Sequence, residues 1–302
     1  MKPLIFVNST PHQAIDFLAH GSLADKFIQA TQVELARFEI RNFPDGETYL
    51  RVLSECSERN IIILANLHQP DSKLLPIVFL CETLREMGCR KITLAAPYLP
   101  YMRQDIQFHP GEAVTSRFFA KLLSQFIDRL ITIDPHLHRW HSLSQIYSCE
   151  TITLQANTVI AQWVKQNISA PFIVGPDSES EQWAADVAGM IGCPYLILDK
   201  TRFGDKDVSV SALSAEQFKH LTPVLIDDII STGRTMIKTA EWLADEGFCP
   251  PVCIGVHALF SDDALAAMQD AKIHSILTCN TILHETNKID VSSLLINSID
   301  TN

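Results

Sequence analysis

The chain has 302 residues, 47% of them hydrophobic, and a formal net charge of −11 at pH 7. This length suits about two domains, and this apolar share is ordinary for globular cores. The acidic balance argues against a general binder of nucleic acids or membrane surfaces, because both partners attract a basic face. A phosphorylated small substrate would need only a local basic pocket.

In the first half of the chain, continuous apolar runs alternate with segments of helical spacing. Residues 42–47 contain Pro44 and Gly46 and are predicted to form a loop. Residues 98–112 are long for a connection, and long connections are usually functional. The predicted strands are 3–8, 33–40, 61–65, 91–97 and 129–134, and the predicted helices are 11–20, 74–87 and 114–125.

The second half repeats this rhythm. An acidic residue, Asp177, ends its first predicted strand, and a polar loop follows its second strand. The predicted strands are 171–177, 195–198, 224–226, 252–258 and 276–279, and the predicted helices are 155–166, 179–191, 236–243 and 262–269.

Strands that alternate with helices imply parallel sheets joined by right-handed crossovers. We therefore predict an α/β protein with two tandem domains, each a mainly parallel sheet flanked by helices. The domains are predicted at 1–150 and 151–302, each of ordinary domain size. Because residues 291–299 are amphipathic, we expect the tail at 286–302 to pack back on the first domain.

None of the eight cysteines lies in a CxxC pair, and several lie inside apolar runs. Such cysteines are typical of reduced core residues in a cytosolic protein. The first eight residues hold one basic residue and too short an apolar run for a signal peptide. No uncharged apolar run reaches the roughly 18 residues that a membrane span needs. We expect a cytoplasmic protein that binds neither nucleic acid nor membrane.

Residues 224–236 combine a strand, a hydroxyl-rich turn and a helix start. Free backbone N–H groups at a helix N-terminus can hold a phosphate, and Gly233 lets the chain turn sharply. Asp227 and Asp228 follow the predicted strand, where ligands bind in open parallel sheets. They could hold sugar hydroxyls, a Mg²⁺ ion or both. The alternative is an ordinary turn in which the acids cap the helix.

Other candidates are weaker alone. The turn at 43–47 and the segment 103–105 could be surface loops, although Arg and Gln suit purine edges and phosphates. Lys200 and Arg202 could be a solvated pair or could neutralise a transferring phosphoryl group. The cluster His136, His138 and His141 has metal-like spacing, but no acid or cysteine set completes a zinc site. His136, directly after a strand, is the better active-site candidate.

Absent motifs exclude some enzyme classes. The sequence has no GxGxxG, GxxxxGK[ST] or GxSxG. A Rossmann dinucleotide site, a P-loop enzyme and a hydrolase nucleophile elbow are therefore not expected.

The string at 224–236 resembles the motif that binds 5-phosphoribosyl 1-diphosphate (PRPP) in phosphoribosyltransferases and PRPP synthetases. In that family the acid pair faces the ribose 2- and 3-hydroxyls, and the loop grips the 5-phosphate. The chain departs from the pattern at Arg234, where many members have a second glycine.

Six motifs occur in one order: FPDGE, RQD, DPH, PD, DKTR and DDIISTGRT. In that order they resemble the ribose-phosphate diphosphokinase (PRPP synthetase) family, with tandem domains of the type I phosphoribosyltransferase fold. The resemblance implies that the diphosphate of ATP is transferred to the 1-hydroxyl of ribose 5-phosphate, giving PRPP and AMP. Two alternatives stay open: a phosphoribosyltransferase of base salvage, and a non-catalytic regulatory paralogue.

The resemblance also implies residue roles and a Mg²⁺ cofactor. ATP would be held partly by residues reaching in from a neighbouring subunit, so a homo-oligomer, dimer or higher, is expected. The implied sites are Phe43, Asp45, Glu47, Arg103 and Gln104 for ATP; His136 and Asp177 for the metal; Lys200, Arg202 and His136 for catalysis; and Asp227, Asp228, Ser231, Thr232, Gly233, Arg234 and Thr235 for ribose 5-phosphate.

Overall fold

A computed structural model describes residues 2–7, 18–19, 21–31, 33–176, 180–198 and 216–299. The chain divides into two compact units. Unit 1 contains Met1–Gln155 together with Val291–Asn302, and unit 2 contains Ala156–Asp290. The sequence placed the boundary at 150–151. It falls slightly later because a strand at Glu150–Leu154 joins the sheet of unit 1.

Unit 1 is built on a six-stranded parallel sheet with strand order β2-β1-β5-β6-β7-β8. Its central strands β5, β6 and β7 are mainly apolar and buried after a polar first residue, as expected for a parallel sheet covered on both faces. The strands are β1 (Leu4–Phe6), β2 (Glu34–Leu35), β3 (Phe38–Asn42), β4 (Thr48–Val52), β5 (Asn60–Leu64), β6 (Lys91–Ala95), β7 (Arg129–Ile133) and β8 (Glu150–Leu154), and the helices are α1 (Ser22–Ala30), α2 (Asp71–Glu86) and α3 (Thr115–Leu123).

The single strand predicted at 33–40 is wrong, because the chain leaves the main sheet within it. β2 pairs with β1, whereas β3 turns away and pairs antiparallel with β4, which was not predicted. The two strands form a separate two-stranded sheet. The turn between them, 43–47, is the predicted loop, closed by the Phe43 N–H that donates to the Glu47 carbonyl at 2.8 Å.

Helix α1 was also missed. The helix predicted at 11–20 lies mostly outside the described residues, although Leu18 is described and forms an isolated bridge with Ala65. α1 buries Leu23, Ala24 and Phe27 on one face. That spacing of three and four residues is the ordinary pattern of an amphipathic helix.

Unit 2 repeats the architecture with a second six-stranded parallel sheet of order β10-β9-β11-β12-β13-β14. The predicted strands and helices of this half are present, with β14 as an addition. The strands are β9 (Pro171–Gly175), β10 (Tyr195–Ile197), β11 (Thr222–Ile230), β12 (Val252–Ala258), β13 (Ser275–Cys279) and β14 (Asn287–Ile289), and the helices are α4 (Asn157–Asn167), α5 (Glu181–Ile191), α6 (Arg234–Asp245) and α7 (Ala264–Asp270).

The tail forms α8 (Ser292–Ser298), which packs against α1 and β8 within unit 1. Val291 and Leu295 are fully buried there. Across the described ranges, no helix combines the length and apolarity needed to cross a bilayer.

Candidate functional site

The acid pair lies inside β11 rather than after it. The sequence ended this strand at Ile226, but pairing with β12 continues through Ile230, opposite Ala258. Burial alternates along this stretch: Ile226, Asp228 and Ile230 are buried, and the residues between them are half-buried. Because successive strand side chains point to opposite faces, Asp228 lies on the buried face and Asp227 on the more open one.

Asp227 is held against the backbone. Its Oδ1 accepts a hydrogen bond from the Asp228 N–H at 2.9 Å. Asp228 itself is only 4% exposed. A carboxylate this deeply buried is retained only where polar groups or a ligand compensate its charge.

The turn after β11 leads directly into the first turn of α6. Gly233 precedes the helix with φ +67°, a left-handed conformation that favours glycine. The first N–H groups of any α-helix have no partner within the helix. The amides of the first turn are therefore available to an anion, and the adjacent hydroxyls of Ser231, Thr232 and Thr235 can add to them.

Two neighbouring segments fix this turn. The Ser261 N–H donates to the Ser231 carbonyl at 3.0 Å, and the Phe260 N–H donates to the Ile230 carbonyl at 2.9 Å. Met268 of α7 packs beneath Gly233. Thr232 and Arg234, in contrast, are exposed.

In unit 1, two of the predicted ATP residues and the predicted metal ligand His136 follow the carboxyl ends of two adjacent strands. Arg103 and Gln104 lie in the long loop after β6, and His136 follows β7. The loops start side by side, because the Ala96 N–H donates to the Ile131 carbonyl at 2.8 Å and the Ile133 N–H to the Pro97 carbonyl at 3.1 Å.

Tyr101 anchors the first part of the long loop. It has φ +63°, which is uncommon for a residue other than glycine. Its ring packs on Phe119 with centroids 4.9 Å apart, and its hydroxyl donates to Asp71 in the first turn of α2. Burial and this bond raise the pKa of Tyr101 to about 12. The hydroxyl therefore stays protonated and remains a donor at neutral pH.

An ion pair joins the two loops. Arg139 Nη1 lies 2.8 Å from Asp105 Oδ1, and the Asp105 side chain is 3% exposed. The Arg139 guanidinium also lies over the Phe108 ring, 5.8 Å from its centroid. The structure thus brings the RQD segment and the segment after His136 together.

His136 is half-buried and touches His138. Their rings meet edge to face with centroids 3.9 Å apart, and their Nε2 atoms are in direct contact. Within the part of the chain that the structure describes, no three His, Cys, Asp or Glu side chains form a group that could hold a metal. Asp177, the other predicted metal ligand, lies outside the described residues.

The tip of the β3–β4 hairpin is exposed. Phe43, Asp45 and Glu47 all face solvent. Phe43 meets Tyr49 edge to face, and the Arg41 guanidinium lies 4.7 Å from the Phe43 centroid and 4.3 Å from that of Tyr49. The hairpin therefore presents an aromatic and cationic surface beside two carboxylates.

Two residues were missed as parts of the site. Asp105 was present in the RQD motif and Arg139 in the histidine-rich segment, but their pairing spans 34 residues and has no local signal. The predicted catalytic residues Lys200 and Arg202 lie outside the described residues.

Two family models match the chain. The N-terminal domain of ribose phosphate pyrophosphokinase matches residues 14–126, and the phosphoribosyl transferase domain matches residues 142–294.

Curated relatives and a solved structure agree with these models. Over 260 residues the chain is 31% identical to a ribose-phosphate pyrophosphokinase of Sulfolobus acidocaldarius, covering 85% of this chain and 88% of the relative. It is 30% identical to that of Pyrococcus abyssi, covering 98% of each chain. The crystal structure of phosphoribosylpyrophosphate synthetase from Mycobacterium smegmatis shares the fold, with a TM-score of 0.82, 21% identity, and coverage of 99% of this chain and 97% of that one.

Proposed function

The chain belongs to the ribose-phosphate pyrophosphokinase family, and on that premise we propose that it converts ATP and ribose 5-phosphate into PRPP and AMP. The observation that carries this is the match of both domains in one chain, at 30% identity over 98% of its length. A phosphoribosyltransferase of base salvage would need only the second domain's motif. The match to the N-terminal domain at 14–126 therefore favours the synthetase.

Ribose 5-phosphate binds at the turn between β11 and α6. The first-turn amides and the hydroxyls of Ser231, Thr232 and Thr235 suit the 5-phosphate. Asp227 and Asp228 accept hydrogen bonds from the ribose hydroxyls, and such bonds to charged acceptors are stronger than neutral ones. The support for this assignment is the rigid turn, held by the hydrogen bond to Ser231 and by Met268.

ATP binds in unit 1, with Arg103 and Gln104 contacting the nucleotide. The hairpin tip with Phe43, Asp45 and Glu47 holds the adenine side of a neighbouring subunit's ATP. An exposed aromatic stacked with Arg41 is suited to a base, because bases stack on aromatic and guanidinium planes. This arrangement requires a homo-oligomer, dimer or higher.

The reaction needs no nucleophile from the protein. The 1-hydroxyl oxygen of ribose 5-phosphate attacks the β-phosphorus of ATP, the bond from that phosphorus to AMP breaks, and the hydroxyl proton is released. Negative charge builds on the phosphoryl oxygens and on the departing AMP. Lys200 and Arg202 offset this charge, so catalysis consists of positioning and electrostatic stabilisation.

The cofactor is a divalent cation, which we take to be Mg²⁺, held by His136 and Asp177. One imidazole and one carboxylate are fewer than the six ligands that Mg²⁺ takes, so the remaining ligands would have to come from the substrate or from water. When bound, the ion would supply positive charge that offsets the charge of the phosphates.

The test is to incubate the protein with ATP, ribose 5-phosphate and Mg²⁺ and to measure AMP and PRPP. AMP should form only when ribose 5-phosphate is present, and chelating the metal should stop it. If the protein instead consumes PRPP with a purine or pyrimidine base, it is a salvage transferase. If AMP never forms and the protein co-purifies with an active synthetase, it is a regulatory paralogue.

A cytoplasmic location fits this role. None of the eight cysteines, all of which the structure describes, forms a disulfide, which is typical of a reducing compartment.

A further inference from the structure

The RQD loop, the part of the loop after β6 that contains residues 103–105, carries a buried carboxylate, Asp105. Among the described side chains, Asp105 pairs with one cation, Arg139. The Asp105 side chain is 3% exposed, and its Oδ1 lies 2.8 Å from Arg139 Nη1. Its other oxygen, Oδ2, is buried and makes no hydrogen bond to any described residue. A buried charge that loses its only partner is strongly destabilised. The position of Asp105 is therefore tied to that of Arg139.

The ion pair between Asp105 and Arg139 also restricts the orientation of the neighbouring side chains, Arg103 and Gln104. Met102 and Asp105 are buried, whereas Arg103 between them is exposed and Gln104 is half-buried. With both ends of this short segment fixed inside, Arg103 and Gln104 have little freedom to turn. The burial of Met102 and Asp105 therefore fixes the orientation of Arg103 and Gln104 on the more exposed face of the loop.

The loop is also held from its other side. The Gln104 carbonyl accepts a hydrogen bond from the Ser116 N–H at 3.3 Å, and the Gln104 side chain accepts one from Thr115 Oγ1 at 3.4 Å. Both donors lie at the start of α3. On the opposite side, Arg139 in the segment after β7 contacts Asp105 of the same loop.

Arg139 lies three residues after His136, and its guanidinium covers the Phe108 ring in the same long loop. It therefore contacts the β6 loop at two points, one ionic and one aromatic. Each contact crosses from one strand end to the next, so relative movement of the two loops would break both.

We propose that Arg139 is a positioning residue for the nucleotide. Through Asp105 it fixes the RQD loop against the segment that carries His136, so that Arg103, Gln104 and His136 are presented together to one ATP molecule. This inference rests on the proposed function, because it takes Arg103 and Gln104 as nucleotide contacts.

The test is a double-mutant cycle with Arg139→Met, Asp105→Asn and the double variant. Calorimetry measures the affinity of each protein for ATP with Mg²⁺, and separately for ribose 5-phosphate. We expect Arg139→Met to weaken ATP binding on the order of tenfold and to leave ribose 5-phosphate binding within about twofold. In the Asp105→Asn background the same change should have a much smaller effect on ATP, because the partner through which it acts is altered.

A matched control is Arg85→Met. Arg85 forms an ion pair with Asp128 at 2.6 Å, at the opposite end of the same sheet. Its loss should lower the melting temperature without changing the affinity for ATP. A general structural role of Arg139 would weaken both ligands alike.

Three results overturn the proposal: unchanged ATP affinity in Arg139→Met, an equal effect in both backgrounds, or an equal loss for ribose 5-phosphate. Binding of ATP alone needs no turnover. A wild-type protein that binds ATP but forms no AMP therefore counts against the proposed function and leaves the positioning role standing. A wild-type protein that does not bind ATP overturns the positioning role.

Discussion

A Cβ atom placed on Gly233 would lie 2.6 Å from both Cγ and Sδ of Met268. Met268 comes from α7 and is fully buried, so it has little room to move. The turn before α6, which we propose as the 5-phosphate site, is thus constrained both by packing against Met268 and by the left-handed φ of Gly233.

We predict that Gly233→Ala lowers the free energy of unfolding by about 2 kcal/mol, of which about 1 comes from the left-handed φ and about 1 from overpacking. Gly247→Ala is the matched control, because Gly247 has φ +84° but no heavy atom within 4 Å of the position that a Cβ would take. It should cost only about 1 kcal/mol. Urea unfolding measures both. Equal losses would mean that Met268 moves aside freely.

The buried acid of β11 should be needed for the sugar. We expect Asp228→Asn to weaken ribose 5-phosphate binding by about tenfold or more, because a charged acceptor contributes roughly 1.5–3 kcal/mol to a hydrogen bond. Calorimetry measures this directly. Asp245→Asn, at the exposed far end of α6, is the control and should bind normally. Unchanged affinity in Asp228→Asn would remove that residue from the sugar site.

Lys200 should act on the chemical step. We expect Lys200→Ala to lower kcat by about a hundredfold or more with little change in ribose 5-phosphate affinity, as is typical of lost charge stabilisation in the transition state. Steady-state assays of AMP formation give kcat, and calorimetry gives the affinity. Lys219→Ala, which removes a cation paired with Glu216 at 3.2 Å, should leave kcat unchanged. A wild-type kcat in Lys200→Ala would exclude Lys200 from the chemistry.

An ion-pair cluster at the amino ends of β6 and β7 should make stability depend on pH. Arg129 at 2.8 Å and Lys91 at 3.0 Å contact Glu150, and together they hold the pKa of that carboxyl below its ordinary value. A lowered folded-state pKa stabilises the native state above the unfolded value of about 4.3. This stabilisation is lost as the pH falls through the folded pKa.

Glu150→Gln should therefore reduce stability at pH 7 by about 0.5 kcal/mol, a small amount because the side chain is 45% exposed. The difference from wild type should stay constant from pH 7 to about 5 and shrink as the pH falls further, through about 4 and then through the folded pKa of Glu150. Urea midpoints at each pH measure it, with the exposed Glu82→Gln as control. A difference that stays constant from about pH 5 down to about pH 3 would show that the ion pairs do not cause it.

The motif predicted the acid pair Asp227 and Asp228 but not the secondary structure in which the pair lies. The residues at 227–228 were identified as a pair, but their spacing did not reveal that β11 continues through them. The extension arises because β12 offers pairing partners as far as Ala258. As a result, Asp227 and Asp228 lie in different environments, one half-buried and one buried.

The β3–β4 hairpin shows that local sequence does not predict which strands pair with each other. Residues 33–40 were predicted as one strand, and no local sequence signal indicates that its two ends join different sheets. The partner of β3 is β4, only a turn away, whereas the partner of β2 is β1, about thirty residues earlier. Strand pairing depends on which edges are available in three dimensions.

Local information along the chain determined the α/β class, the two tandem sheets and the glycine-containing turn before α6, because periodicity and glycine positions are properties of neighbouring residues. The tertiary structure alone decided that Met268 lies beneath Gly233 and that Arg139 pairs with Asp105. These pairs are separated by more than thirty residues, and their members meet only after the strands have been ordered into sheets. The residues of each candidate motif are therefore close together in sequence, whereas the contacts that hold these motifs in place join residues that are far apart in sequence.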